Sequence, residues 1–124
     1  MSKSFLDGKI IENLIDEAKS IKKSKKQFSD VYDDEGNQYV DLVQEGGGVL
    51  GIALIGYTYI LEQAGIRFYS LAGTSAGAIN TMFMAGLSNI GQPVSNKVLD
   101  ILGSKNLFDF VDGPNSVKRL IQKK

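Results

Sequence analysis

The sequence predicts an α/β fold built on a mainly parallel sheet, and three observations predict it. A short β-leaning run, Gln38–Gln44, leads into glycines and then into an apolar, helix-patterned segment over 49–63. A second run, Ile66–Ala72, repeats that order: strand, glycine turn, helical pattern over 78–85. Between the two lies enough chain for a helical crossover, the connection that parallel strands require. This order of strand, turn and helix, taken twice, is the start of a parallel sheet with right-handed crossovers.

Each element has its own signal. Over residues 4–26, Phe5, Leu6, Ile10, Ile11, Leu14, Ile15, Ala18 and Ile21 recur near a 3.6-residue period, predicting an amphipathic helix. It ends in Lys19, Lys22, Lys23, Lys25 and Lys26, where cations complement the helix dipole. Asp30, Asp33, Asp34 and Glu35 follow as a solvated acidic loop that closes on the turn signal Gly36-Asn37. Residues 1–38 thus read as an amphipathic helix and charged linker, and 39–124 as part of an α/β domain. Gly51 and Gly56 inside the second helix each cost about 1 kcal/mol against alanine, which predicts close packing or ligand approach at both. Ala64-Gly65 closes that helix. Further on, Ser95 is the expected cap of a short helix through Leu102, with Pro93 just before it. Residues 106–111 read as strand or loop, Asp112-Gly113-Pro114 as a turn, and 116–124 as a last helix. Two strands are too few for an independent α/β domain, so the chain reads as a truncated, self-associating part of one.

Composition excludes several classes of chemistry. The 124 residues contain no histidine and no cysteine, with 14 acidic residues balancing 14 basic ones. Disulfides, thiolate nucleophiles and the usual zinc ligands are therefore absent, and no cofactor is expected. The charge balance offers no reason to expect nucleic acid as a partner. Charge precedes any apolar stretch of leader length at the N-terminus, and no uncharged run reaches membrane-span length, so the expectation is a cytoplasmic protein.

The chemistry rests on two glycine motifs. Gly73-Thr74-Ser75-Ala76-Gly77 is a G-x-S-x-G pentapeptide between a strand and a helix. Its glycines remove the Cβ atoms that would clash in a sharp elbow, leaving Ser75 exposed at the strand's C-terminal end. The helix that follows aims its dipole and free N–H groups at the same spot, where negative charge would develop. Without histidine, no Ser-His-Asp triad can form, so the base must be another residue type. Gly46-Gly47-Gly48 stands after the first strand and offers bare N–H groups for an oxyanion.

Other readings of these motifs are weaker. Gly46-Gly47-Gly48-Val49-Leu50-Gly51 also fits G-x-G-x-x-G, but a dinucleotide site wants an acid at the end of the next strand. That strand ends instead in Ala72-Gly73-Thr74-Ser75, and the nearby acid, Glu62, falls within the predicted helix. No Gly-Lys-Ser/Thr follows the glycines, so the Walker pattern fails, and a plain packing turn remains the bland alternative. Ser20-x-x-Lys23 matches another serine-enzyme pattern by chance, in a charged helix without glycines.

Taken together, Glu45-Gly46-Gly47-Gly48-Val49-Leu50-Gly51 and Gly73-Thr74-Ser75-Ala76-Gly77-Ala78-Ile79-Asn80 strongly resemble the patatin-like phospholipases, over about residues 39–112. The resemblance implies a three-layer αβα domain and a lipid acyl hydrolase using a Ser-Asp dyad. It implies Ser75 as nucleophile, Gly46, Gly47 and Gly48 as the oxyanion hole, and Gly73, Thr74, Ala76 and Gly77 as the elbow. The expected partners are a lipid or acyl-ester substrate and, transiently, a membrane surface. The family's base is an aspartate in an Asp-Gly-Gly or Asp-Gly-Ala motif far downstream of the serine. Asp112-Gly113-Pro114 departs from that pattern in both spacing and third residue, so Asp112 reads as a turn aspartate. The rival expectation is a non-catalytic lipid-binding or interaction fragment of such a domain.

Overall fold

A computed structural model describes residues 8–47, 51–87 and 91–104. Gly48, Asp112, and the elements expected at 106–111, 112–114 and 116–124 lie outside the described residues. The described elements run α1 (Lys9–Lys23), β1 (Gln38–Gln44), α2 (Gly51–Gln63), β2 (Ile66–Gly73), α3 (Ala76–Leu87) and α4 (Ser95–Gly103).

β1 and β2 pair in parallel, with α2 as the crossover between them. The register pairs Val40 with Phe68, then Asp41 with Ser70, leaving Tyr69 as the extra residue of a β-bulge. The bulge has a packing purpose. In an unbroken strand Phe68 and Leu71 would face opposite ways, whereas the inserted residue lets both join the core, Leu71 opposite Leu42. That core gathers Leu42 from the sheet, Ile55 and Tyr59 from α2, Met84 from α3, and Val94, Val98 and Leu99 at α4. The other sheet face is bare toward the C-terminal ends of the strands among the described residues, with Val43 and Tyr69 77% and 78% exposed. One helical layer is therefore in place, and the second layer of an αβα arrangement is not among the described residues.

α1 is shorter at its C-terminus than its periodicity predicts. It stops at Lys23 because the Ser24 hydroxyl bonds back to the Ile21 carbonyl and Lys25 turns left-handed, at φ 53°. Its apolar stripe is only partly covered: Ala18 is buried, yet Ile10, Leu14 and Ile21 are exposed. Lys22 belongs to the structure rather than to a purely solvated cluster. Its methylenes lie against Gly65, and its ammonium donates to Asn37 Oδ1 at 3.0 Å. The acidic loop is also more built than expected. Asp33 accepts from the backbone N–H groups of Glu35 and Asn37 and from the Asn37 amide. These bonds, led by the Asn37 side chain, hold the Asp33 carboxyl below the ordinary carboxylate range. The turn then feeds Tyr32 into a short antiparallel bridge with Gln38.

Two expectations about single residues are corrected. A Cβ at Gly56 would meet nothing within 4 Å among the described residues, so close packing there does not explain that glycine. Ser95 is not the cap of α4. Its hydroxyl turns inward to Thr58 Oγ1, and the cap comes from α2: the Glu62 carboxylate accepts from Val94 N–H at 2.9 Å and Ser95 N–H at 3.0 Å. A buried carboxylate with both oxygens on helix N-terminal N–H groups satisfies its own charge and two orphan donors at once. Arg67 braces the same corner, donating to the carbonyls of Glu62, Ile66 and Gly91. Glu62→Leu is therefore expected to lower stability by about 1–3 kcal/mol, and Glu62→Gln by less, since the amide keeps one acceptor. Urea unfolding of both variants measures this, and equal, negligible losses would rule out the cap.

Candidate active site

The backbone builds the site before any side chain does. β2 ends at Gly73 and α3 begins at Ala76, so the chain must reverse from strand to helix within two residues. It does so through Ser75 at φ 52°, a left-handed conformation that costs a non-glycine residue about 1–2 kcal/mol. The flanking glycines make the turn sterically feasible. A Cβ at Gly73 would run into the Gly77 carbonyl and stand 2.7 Å from Ala78 N. A Cβ at Gly77 would strike the Gln44 carbonyl and stand 2.8 Å from Glu45 O. G-x-S-x-G is thus required here by two backbone approaches, one within the elbow and one between the elbow and β1. Thr74 N–H donates to Gln44 O at 3.0 Å, and Gly77 N–H to Thr74 O at 2.9 Å, pinning the turn from both sides.

The first glycine loop arrives at the same point. A Cβ on Gly46 would lie 2.6 Å from Ser75 Cβ and 3.2 Å from Ser75 Oγ, so the bare backbone of Gly46 rests against the serine side chain. Ser75, Gly46 and Gly47 are all exposed. Ala76, as the first residue of α3, has an N–H that finds no acceptor among the described residues. Gly51, at the start of α2, would bring a Cβ to 3.0 Å from Ala76 Cβ, which explains that glycine as close packing of α2 on the elbow. The structure therefore brings together Gly46, Gly73, Thr74, Ser75, Ala76 and Gly77. It shows Gly47 exposed in the same loop, and Gly48 lies outside the described residues.

Sequence reasoning missed the polar support beneath this site. Gln44 and Asn80 are 4% and 2% exposed, and Asn80 Nδ2 donates to Gln44 Oε1 at 2.6 Å. The other halves of both amides, Gln44 Nε2 and Asn80 Oδ1, are buried with no partner among the described residues. Each such orphan costs about 1–3 kcal/mol. The signal was present in the alternation Val40, Leu42, Gln44, which puts a polar residue on the core face of β1.

Glu62 is not free to hold a ribose hydroxyl near these glycines, because both its oxygens already cap α4. Among the described residues, no three His, Cys, Asp or Glu side chains gather as a metal site, and no helix is long and apolar enough to cross a membrane.

Fold and site together define an α/β protein that presents a serine on a strained strand-to-helix elbow, with a glycine loop laid against it. Residues 42–121 match the family model described as patatin-like phospholipase, and the chain belongs to that family. It is 57% identical over 47 residues to the uncharacterized protein YqhO of Bacillus subtilis (strain 168). That stretch is 38% of this chain and 16% of YqhO, so the match spans under a fifth of the relative's length. No solved structure matches.

Proposed function

We propose that this chain carries the nucleophile half of a serine lipid acyl hydrolase, within a three-layer αβα domain. The observation that carries the reading is the seating of bare Gly46 backbone against Ser75, whose own φ of 52° turns its side chain out of the elbow. A carbonyl carbon held at Ser75 Oγ would have its oxygen close to N–H groups from two sources, the glycine loop and the start of α3. In the reaction, Ser75 Oγ forms a bond to the acyl carbon as an aspartate takes its proton. The tetrahedral oxyanion rests on the N–H groups, then collapses to an acyl-serine as the aspartate returns the proton to the departing alcohol. Water, deprotonated by the same aspartate, attacks the acyl-serine; the bond from Ser75 Oγ to the acyl carbon then breaks as the aspartate returns the proton to Oγ, and the fatty acid leaves. An ordinary aspartate, with a pKa near about 3.9, is a weak base, so its positioning must compensate. On this reading the base is the aspartate of an Asp-Gly-Gly or Asp-Gly-Ala motif, which residues 1–124 do not contain.

An acyl substrate suits the surface beside the serine. Ile79 and Met82 follow Ser75 at helical spacing along α3 and are 50% and 63% exposed, so an apolar stripe leads away from the hydroxyl. The same stripe would favour contact with a lipid surface.

A fluorophosphonate probe tests the reading. The 124-residue chain is expected to label slowly at Ser75, and a protein that includes the dyad aspartate quickly, by intact mass. Gly47→Ala in the latter is expected to lower kcat by about 10²–10³, as loss of an oxyanion donor does. Gly46 is the poorer probe because its added Cβ would collide with Ser75. Rapid stoichiometric labelling of the short chain would place a base within it. Undiminished turnover in folded Gly47→Ala would remove Gly47 from the oxyanion hole.

A further inference from the structure

We infer that the buried Gln44–Asn80 amide pair is a positioning device that sets the glycine loop against Ser75. This rests on the acyl-hydrolase reading of the site. Gln44 is the last residue of β1 and the last buried residue before the exposed Glu45, Gly46 and Gly47. Its main chain already meets the elbow: Gln44 O accepts Thr74 N–H at 3.0 Å and lies where a Gly77 Cβ would go. Its side chain makes the second tie, accepting from Asn80 Nδ2 at 2.6 Å. Asn80 stands on α3 four residues after Ala76, about one turn along the helix that starts at the elbow. Among the described residues this is the one hydrogen bond between side chains of β1 and α3. One residue, Gln44, therefore anchors the loop that carries Gly46 to both the turn and the helix that carry Ser75.

Two unpartnered atoms make stability a poor reason for the pair. Gln44 Nε2 and Asn80 Oδ1 are both buried and have no partner among the described residues, so an apolar pair of the same volume would avoid two desolvation penalties there. What an apolar pair lacks is direction. A short hydrogen bond fixes the separation and rotation of the two elements, whereas methyl contacts let them slide. Misplacing reacting groups by about 1 Å costs about 10²-fold in rate, so a bond that holds the loop's root is favoured even at a loss of stability.

The test is a double substitution in a protein that includes the dyad aspartate. Gln44→Met with Asn80→Leu removes both amides at nearly constant volume. We expect its urea midpoint to match or exceed wild type while kcat falls about tenfold to a hundredfold with KM little changed. Each single variant, which strands the other amide, should unfold more easily. The exchanged pair, Gln44→Asn with Asn80→Gln, restores a hydrogen bond across nearly the same span and should recover part of kcat. A stable double variant with wild-type kcat would overturn the inference. Amide relaxation of Gly46, Gly47 and Ser75 supplies a readout independent of catalysis: their order parameters should fall in the double variant and recover in the exchanged pair. If wild type neither labels nor hydrolyses, the acyl-hydrolase reading fails, and unchanged order parameters would then separately refute the positioning role.

Discussion

Ser75→Ala, in a protein that includes the dyad aspartate, is expected to lose ester hydrolysis by about four orders of magnitude or more and to lose fluorophosphonate labelling altogether. The size follows from covalent catalysis: without Oγ no acyl-serine forms, and the oxyanion donors alone leave only a small residual rate. A folding defect is not expected to confuse the result, because alanine and serine meet similar strain at φ 52°. Ser75→Gly gives the complementary outcome. Glycine accepts the left-handed elbow freely, so this variant is expected to keep or raise its stability, by up to about 1 kcal/mol, while remaining inert. Stability rising as activity vanishes would mark strain retained for function. Hydrolysis persisting in both variants would exclude Ser75 as the nucleophile.

The second large effect is on stability, and it separates glycines that the sequence alone presents as equals. Gly73→Ala or Gly77→Ala is expected to cost about 3 kcal/mol or more, because each added methyl meets backbone rather than a movable side chain. At Gly73 the obstacle is the Gly77 carbonyl and Ala78 N, so the elbow must open. At Gly77 it is the end of β1, so α3 must move off the sheet. Gly56→Ala is expected to act in the opposite direction. It lies inside α2 with nothing near its added Cβ among the described residues, so alanine should stabilise by up to about 1 kcal/mol through helix propensity. Chemical denaturation of the three variants reads all of this. A Gly77→Ala protein as stable as wild type would mean that α3 does not sit on β1 as described.

Both expectations depend on how far local pattern carries into space. The two strands, the helices around them and the serine elbow were legible because each has a short-range cause. β-leaning residues set β1, apolar spacing set α2, and the glycines of Gly73-Thr74-Ser75-Ala76-Gly77 announced a sharp turn. The absence of histidine narrowed the base before any fold was drawn. Family membership was legible for the same reason, since both motifs are continuous in sequence.

Contacts between distant residues were not legible. Ser95 had the side chain and position of a cap, yet Glu62, 33 residues earlier, supplies the carboxylate and the serine hydroxyl serves Thr58 instead. Gly51 and Gly56 were indistinguishable until α3 was seen to lie against one and not the other. The bulge at Tyr69, which turns both Phe68 and Leu71 to the core, leaves no mark in strand periodicity except its failure. Gln44 and Asn80 are 36 residues apart in the chain, and only packing α3 on β1 makes them partners. The sequence by itself determined the local backbone, because turns, strands and helices are limited by sterics within a few residues. The tertiary structure decided which groups meet, because burial removes water as a partner and forces each polar atom to find another wherever the chain has brought one.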